Sequence, residues 1–195
     1  MSLFRLHGRA RTEASQELAG RLLIVGLGPA QDLHHLPEAV TEIIAIEPSA
    51  SMRAAAAGAV ARARRTGVAV EVVDGVGEEL PLPDNSIDSV LLAYVMCTVQ
   101  DPSRVIAEVD RVLRPGGVVG VLEHVAGQQG TWLRRAQRFS APWWPWLAGG
   151  CHCDRETRLV LAAAGFDTSS IRQVNLVNVP PVAPALIGTA RRTGE

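Results

Sequence analysis

The chain has 195 residues, 47% apolar and 20% charged, with a formal net charge of −1. This is the composition of an ordinary globular domain, and it excludes a broad electrostatic footprint for nucleic acid. All 19 basic residues are arginine, which excludes a Walker phosphate-binding lysine, a Schiff-base lysine and a kinase-type ATP lysine. Cys97, Cys151 and Cys153 form no disulfide framework and favour a reducing compartment. No apolar run approaches the roughly 20 residues that span a bilayer, and no signal-peptide h-region is present. The expectation is a soluble cytoplasmic protein, monomer or homodimer, without nucleic acid or stable membrane insertion.

Residues 1–11 show no apolar pattern and read as a loose tail. A short helix over 12–18 would follow, with Thr12 as N-cap and Gly20 after its end. Residues 22–27 are apolar throughout, as expected of a central parallel strand, and 43–46 form the second strand. Ser49 or Ser51 caps an alanine-rich helix reaching Arg65, stopped by Gly67. Strands follow at 68–73 and 87–95, separated by a loop over 75–84. Asp101-Pro102 opens a helix, Arg114-Pro115-Gly116-Gly117 ends it, and 118–122 is the fifth strand. Asp154 would cap a helix to Ala164, before two late strands near 170–177 and 185–190. The expected fold is α/β: a Rossmann-like, doubly wound, mostly parallel seven-stranded sheet with an antiparallel C-terminal hairpin. The whole chain, 1–195, reads as one domain, with 1–20 a short lead-in and 127–153 a substrate-side insertion or lid. That segment holds all four tryptophans.

The first strand runs into Gly26-Leu27-Gly28-Pro29-Ala30-Gln31. A dinucleotide fingerprint wants glycine or alanine where Gln31 stands, so a pyrophosphate is disfavoured. Gly26 and Gly28 let backbone approach a ligand, and a following helix start would offer N–H groups to a carboxylate. Glu47, 19 positions after Gly28, ends the second strand where a carboxylate accepts hydrogen bonds from ribose hydroxyls. The other reading, an acid favouring the start of the next helix, gives way to ribose binding once the glycine turn is in place.

These features resemble the class I S-adenosylmethionine (SAM)-dependent methyltransferases, in particular the methyltransferase type 11 domain. Ala30 stands for the third glycine of that family's Gly-x-Gly-x-Gly. Residues 77–88, Gly-Glu-Glu-Leu-Pro-Leu-Pro-Asp-Asn-Ser-Ile-Asp, are similar to its Leu-Pro loop, and 109–117 to its helix-to-strand junction. The resemblance implies SAM as cofactor and S-adenosylhomocysteine as product. It implies cofactor contacts at Gly26, Leu27, Gly28, Glu47 and Pro48, at Val76, Gly77 and Glu78 beside adenine, and at Ala93 and Tyr94. Val76 replaces an aspartate frequent in the family. Residues 96–101, 122–126 and 150–157 resemble the methyltransferase-like seven, or alkyl thiol methyltransferase, group. That group carries a hydrophobic N-terminal anchor and a longer lead-in than the 25 residues before Gly26 here.

The implied reaction is an in-line methyl transfer to a small, lipophilic acceptor, a thiol among the candidates, in which the enzyme aligns the reactants and strips water from them. His124 is the candidate proton acceptor or substrate orienter, with Tyr94 beside it; Glu123 and His124 are equally placed simply to anchor the next loop. Cys151-His152-Cys153 lacks a second cluster, so no metal is expected. The tryptophans suit a lid, ordinary core or an interfacial patch. Two other readings stand beside a thiol acceptor: a quinone-precursor or phospholipid-amine methyltransferase, and a catalytically degenerate binding subunit.

Overall fold

The computed structural model describes residues 3–177 and 179–193, with side chains from residue 6 onward. Residues 1 and 2 of the expected tail lie outside that range. The elements are α1 (Leu3–Ser15), β1 (Gly20–Val25), β2 (Val40–Ile46), α2 (Ala50–Arg65), β3 (Ala69–Val73), β4 (Ile87–Ala93), α3 (Pro102–Val112) and β5 (Leu113–His124). They continue as α4 (Trp132–Ser140), α5 (Trp144–Leu147), α6 (Thr157–Ala163), β6 (Phe166–Asp167), β7 (Arg172–Asn175) and β8 (Pro184–Arg192). The sheet order is β3-β2-β1-β4-β5-β8-β6, with β7 also paired to β8. Pairing is parallel from β3 to β5 and antiparallel wherever β8 takes part. This is the Rossmann-like α/β sheet expected, with one strand more than seven. The extra strand arises because β6 and β7 share one edge of β8, against Arg191–Arg192 and against 184–187 respectively.

The apolar run of β1 is buried on both faces. Leu23 and Val25 join a cluster containing Val105, Ile106, Val109 and Val112 of α3. Leu22 and Ile24 join another containing Ala56, Ala59 and Val60 of α2. Alternation along one strand therefore feeds two layers, which is why the strand shows no polar positions. β2 and β4 flank β1 on opposite sides, so the carboxyl ends of β1 and β4 form the topological switch point where ligands bind in such sheets.

Several boundaries differ from expectation. The supposed tail is helix α1, and Thr12 lies inside it, its hydroxyl donating to Gly8 O at 3.1 Å. Ala10 and Ala14 bury against Leu122, Ala185 and Ile187, so tertiary packing makes the helix. Gly120 is required there: a Cβ at that position would lie 2.2 Å from Ala14 O. No α-helix follows the glycine turn. The crossover holds only a 3-10 turn, Gln31–His34, too short to present a helix N-terminus to an anion. β1 stops at Val25, leaving Leu27 buried in the turn. β4 stops at Ala93 because Tyr94 adopts φ 58°. α3 already ends at Val112, and the Pro-Gly-Gly segment belongs to an irregular start of β5. α6 begins at Thr157 with Glu156 before it, so Asp154 is not its cap. Ser49 and Asp101 do cap α2 and α3, accepting from Met52 N and from Ser103 and Arg104 N. Among the described residues, no helix is long and apolar enough to cross a membrane.

Candidate functional site

A cavity of about 530 Å³ opens at the switch point. Its walls include Gly26, Glu47, Pro48, Val76, Gly77 and Glu78, six of the residues expected to hold a cofactor. They come from the ends of β1 and β2 and from the loop after β3. Gly26 has φ 73°, and a Cβ there would meet Val95 Cγ2 at 2.7 Å; one on Gly77 would meet Val25 Cγ1 at 2.8 Å. Both positions therefore need bare backbone, because Val95 and Val25 pack directly against them.

Glu47 is only 7% exposed. Its Oε2 accepts from Gly28 N at 2.8 Å and its Oε1 from Ser49 N at 2.9 Å. The carboxylate thus ties the glycine turn to the start of α2, and each oxygen retains a lone pair for another donor. Arg53 braces the same corner, donating to Glu47 O at 2.7 Å and to Asp74 Oδ2 at 2.8 Å. Glu78 Oε1 accepts from Gln100 N at 2.9 Å and Asp101 N at 3.2 Å, fastening the Val76–Glu78 loop to the start of α3. Ala30, at φ 60° and ψ 36°, is fully buried in the left-handed conformation that glycine would occupy more freely.

Leu27, Gly28, Ala93 and Tyr94 do not line this cavity. Tyr94 faces a second cluster, on the α1 side. Its ring centroid lies 4.6 Å from that of His124, and its hydroxyl is 3.3 Å from His7 Nδ1. The guanidinium of Arg11 sits 5.4 Å from the Tyr94 centroid and pairs with the buried Asp32 of the crossover. Burial pushes the Tyr94 phenol up, keeping it protonated, and burial followed by the Arg11 charge lowers His7. His124 and Tyr94, the two catalytic candidates, are therefore in direct ring contact.

Glu123 and His124 divide their tasks. Glu123 is wholly buried; its Oε1 accepts from Val95 N at 2.7 Å and Met96 N at 2.9 Å, while Oε2 has no partner. Burial pushes this carboxyl up to about 8 despite those N–H donors. It anchors the turn that follows the strained Tyr94. His124 instead approaches Cys151, with Nδ1 3.7 Å from Sγ. The Cys97 thiol donates to Tyr94 O at 3.7 Å, and the proximity of the two thiols holds Cys151 below the usual thiol range and Cys97 above it. Cys97, His124 and Cys151 thus converge, each offering a ligand atom within 4.8 Å of the others. The contiguous triplet Cys151-His152-Cys153 does not form that cluster.

The tryptophans do not close over the first cavity. Trp132 lines a separate space of about 430 Å³ with Gly127, Thr131, Leu133 and Gln173. Trp146 is 91% exposed, whereas Trp144 packs on the cysteine cluster. Buried Gln137 holds α4 in place, with Oε1 accepting from Gly127 N at 2.7 Å and Nε2 facing the carbonyls of Val125, Cys153 and Pro181.

His7 and Arg11 are absent from the candidates read in the sequence, because no helix was expected before residue 12; Leu6, Ala10 and Ala14, at four-residue spacing, were the available signal. Thr98, Gln100 and Arg104 on the first cavity wall are absent too, although Thr98 and Gln100 fall in the 96–101 segment that carries the resemblance.

The sequence profile of a family described as a methyltransferase domain matches residues 23–121. Human thiol S-methyltransferase TMT1B is 40% identical over 116 residues, covering 58% of this chain and 48% of that protein. Human thiol S-methyltransferase TMT1A is 32% identical over 165 residues, covering 82% and 67%. The chain spans about half the length of the TMT1B proteins it matches. Among solved structures, the (4+2)-cyclase SpnF superposes with a TM-score of 0.72 at 26% identity, over 97% of this chain and 80% of that one.

Proposed function

The chain belongs to the class I SAM-dependent methyltransferase family, and on that footing we propose that it methylates a small, lipophilic thiol. The observation that carries the cofactor reading is the cavity joining Gly26, Glu47 and Gly77 at the switch point. Its fit to SAM rests on a buried carboxylate with acceptor capacity left on the cavity wall. When bound, SAM supplies an electrophilic methyl group. Glu47 accepts from the ribose hydroxyls, and Val76, Gly77 and Glu78 offer backbone to adenine. Gly26 contributes backbone and Pro48 a ring edge, while Leu27, Gly28 and Ala93, outside the cavity wall, act only by shaping the turns behind it.

On the acceptor side, Tyr94 and His124 orient the substrate, and His124 is the available proton acceptor. Segment 127–153 covers this side, since it carries Cys151 to His124 and Trp132 to the neighbouring cavity. The thiol is favoured because both human relatives are named thiol S-methyltransferases.

Calorimetry with SAM and S-adenosylhomocysteine tests the cofactor reading; absence of binding at millimolar concentration would overturn it. Product analysis on alkyl thiols, quinols and amine lipids tests the acceptor. Turnover only on quinols or amine lipids would replace the thiol with the corresponding class. Cofactor binding without turnover on any of them would identify a binding subunit.

A further inference from the structure

We propose that Cys97, His124 and Cys151 form a site for a thiophilic divalent cation, zinc in the first instance, with a fourth position open to an exogenous sulfur ligand. The three residues come from distant parts of the chain: the turn after β4, the end of β5 and the loop after α5. Two sulfurs and one imidazole nitrogen, mutually within 4.8 Å, are the donor set that selects zinc over harder cations. In tetrahedral zinc sites, ligand bonds of about 2.3 Å for sulfur and 2.0–2.1 Å for nitrogen give sulfur–nitrogen edges of about 3.5 Å. The Cys151 Sγ to His124 Nδ1 separation is 3.7 Å.

The surroundings suit such a site. Both cysteines are free thiols and buried, and Trp144, Ala148 and Val182 pack around them as an apolar wall. The backbone that carries them is tied together, His152 N donating to Cys97 O at 2.6 Å. Glu123 fixes the turn leading into Cys97 through Val95 N and Met96 N. Three protein ligands with one open position is the pattern of a reactive zinc site, since structural sites supply four. Neutralising two thiolates with one dication also leaves the buried cluster without net charge.

The role of the open position rests on the thiol reading above. An acceptor R–SH that coordinates there forms a sulfur–metal bond as its S–H bond breaks, and the proton passes to solvent. The acceptor is then held as a thiolate beside Tyr94. In that arrangement His124 positions the acceptor through the metal, and this replaces the proton-acceptor role given to it above.

The test uses full-length protein purified under a phosphine reductant. Elemental analysis should find one zinc per chain. Cobalt(II) added to metal-stripped protein should give a thiolate-to-cobalt charge-transfer band at one equivalent. Cys97→Ser, Cys151→Ser and His124→Ala should each weaken cobalt binding by more than about 100-fold, beyond the roughly 10- to 100-fold cost of losing an outer-shell partner. Cys153→Ser should leave it unchanged. A wild-type protein without stoichiometric metal and without the cobalt band overturns the site, whatever the variants do. A band that ethanethiol fails to shift overturns the open position. SAM calorimetry on the metal-stripped protein reads the cofactor cavity separately, so its failure is distinguishable from failure of the metal site.

Discussion

The two halves of the site are made of different material. The cavity beside Glu47 is mostly backbone: positive φ at Gly26, a close-packed glycine at Gly77, and a carboxylate already bonded to main-chain N–H groups. The cluster around Tyr94 is mostly side chains, brought together from α1, the turn after β4, the end of β5 and the loop after α5. A backbone cradle is specified by a few neighbouring residues. A side-chain cluster exists only after the sheet, the N-terminal helix and the C-terminal segment have packed.

This contrast can be broken from the cluster side first. Arg11 and Asp32 are almost fully withdrawn from water, at 12% and 7% side-chain exposure. Arg11→Met keeps an apolar side chain of similar length but strands the Asp32 charge, so urea unfolding should show a loss of about 3 kcal/mol. Gly120→Ala places a Cβ against Ala14 O and should lift α1 from the sheet, costing about 2 kcal/mol by the same measurement. It should also raise protease sensitivity before residue 20. A stable Gly120→Ala protein with α1 still protected would show that the helix is not fixed by this contact.

The cofactor half is broken at Glu47. Glu47→Ala removes the carboxylate proposed above as the ribose acceptor and leaves the N–H groups of Gly28 and Ser49 without their partner. Hydrogen bonds to a charged group are worth about 1.5–3 kcal/mol, so calorimetry should show SAM binding at least about 10-fold weaker. Glu47→Gln retains one acceptor and should fall between. Unchanged affinity in Glu47→Ala would mean that the carboxylate serves only to tie the turn to α2.

The same contrast explains what could be read from the sequence. The strand run 22–25, the two glycines, Glu47 and the caps at Ser49 and Asp101 are local, and each has a conformation that its neighbours determine. The order of strands through β5 follows from them. Residues 3–11 read as a tail, and only 12–15 of the helix were expected, because Ala10 and Ala14 are weakly apolar and Gly120 opposite makes room for them. His7 and Arg11 went unnoticed with that helix. Cys97, His124 and Cys151 carry no spacing signal, since 27 residues separate His124 from Cys151 and Cys97 belongs to another strand end. Glu123 and His124 adjoin in sequence, yet the period-2 geometry of β5 turns one into the core and the other towards Cys151. The divided sixth strand was hidden because β6 is only two residues long.

The smallest effect is expected at Ala30, where the chain departs from the family's third glycine. Holding alanine at φ 60° costs about 1–2 kcal/mol. Ala30→Gly would relieve that cost, but it would also free the unfolded chain, at about 0.4–1 kcal/mol, and remove a buried methyl worth about 0.8 kcal/mol. The opposing contributions nearly cancel, so urea stability should change by less than about 0.5 kcal/mol. The turn already has the conformation that glycine would take, with Leu27 O receiving Ala30 N at 3.0 Å. SAM affinity should therefore stay within about 3-fold, a difference of less than about 0.7 kcal/mol. A much tighter Ala30→Gly protein would show that the alanine methyl, buried beneath the turn, shifts Gly28 away from the ligand. That result would mean the backbone cradle, too, depends on a side chain.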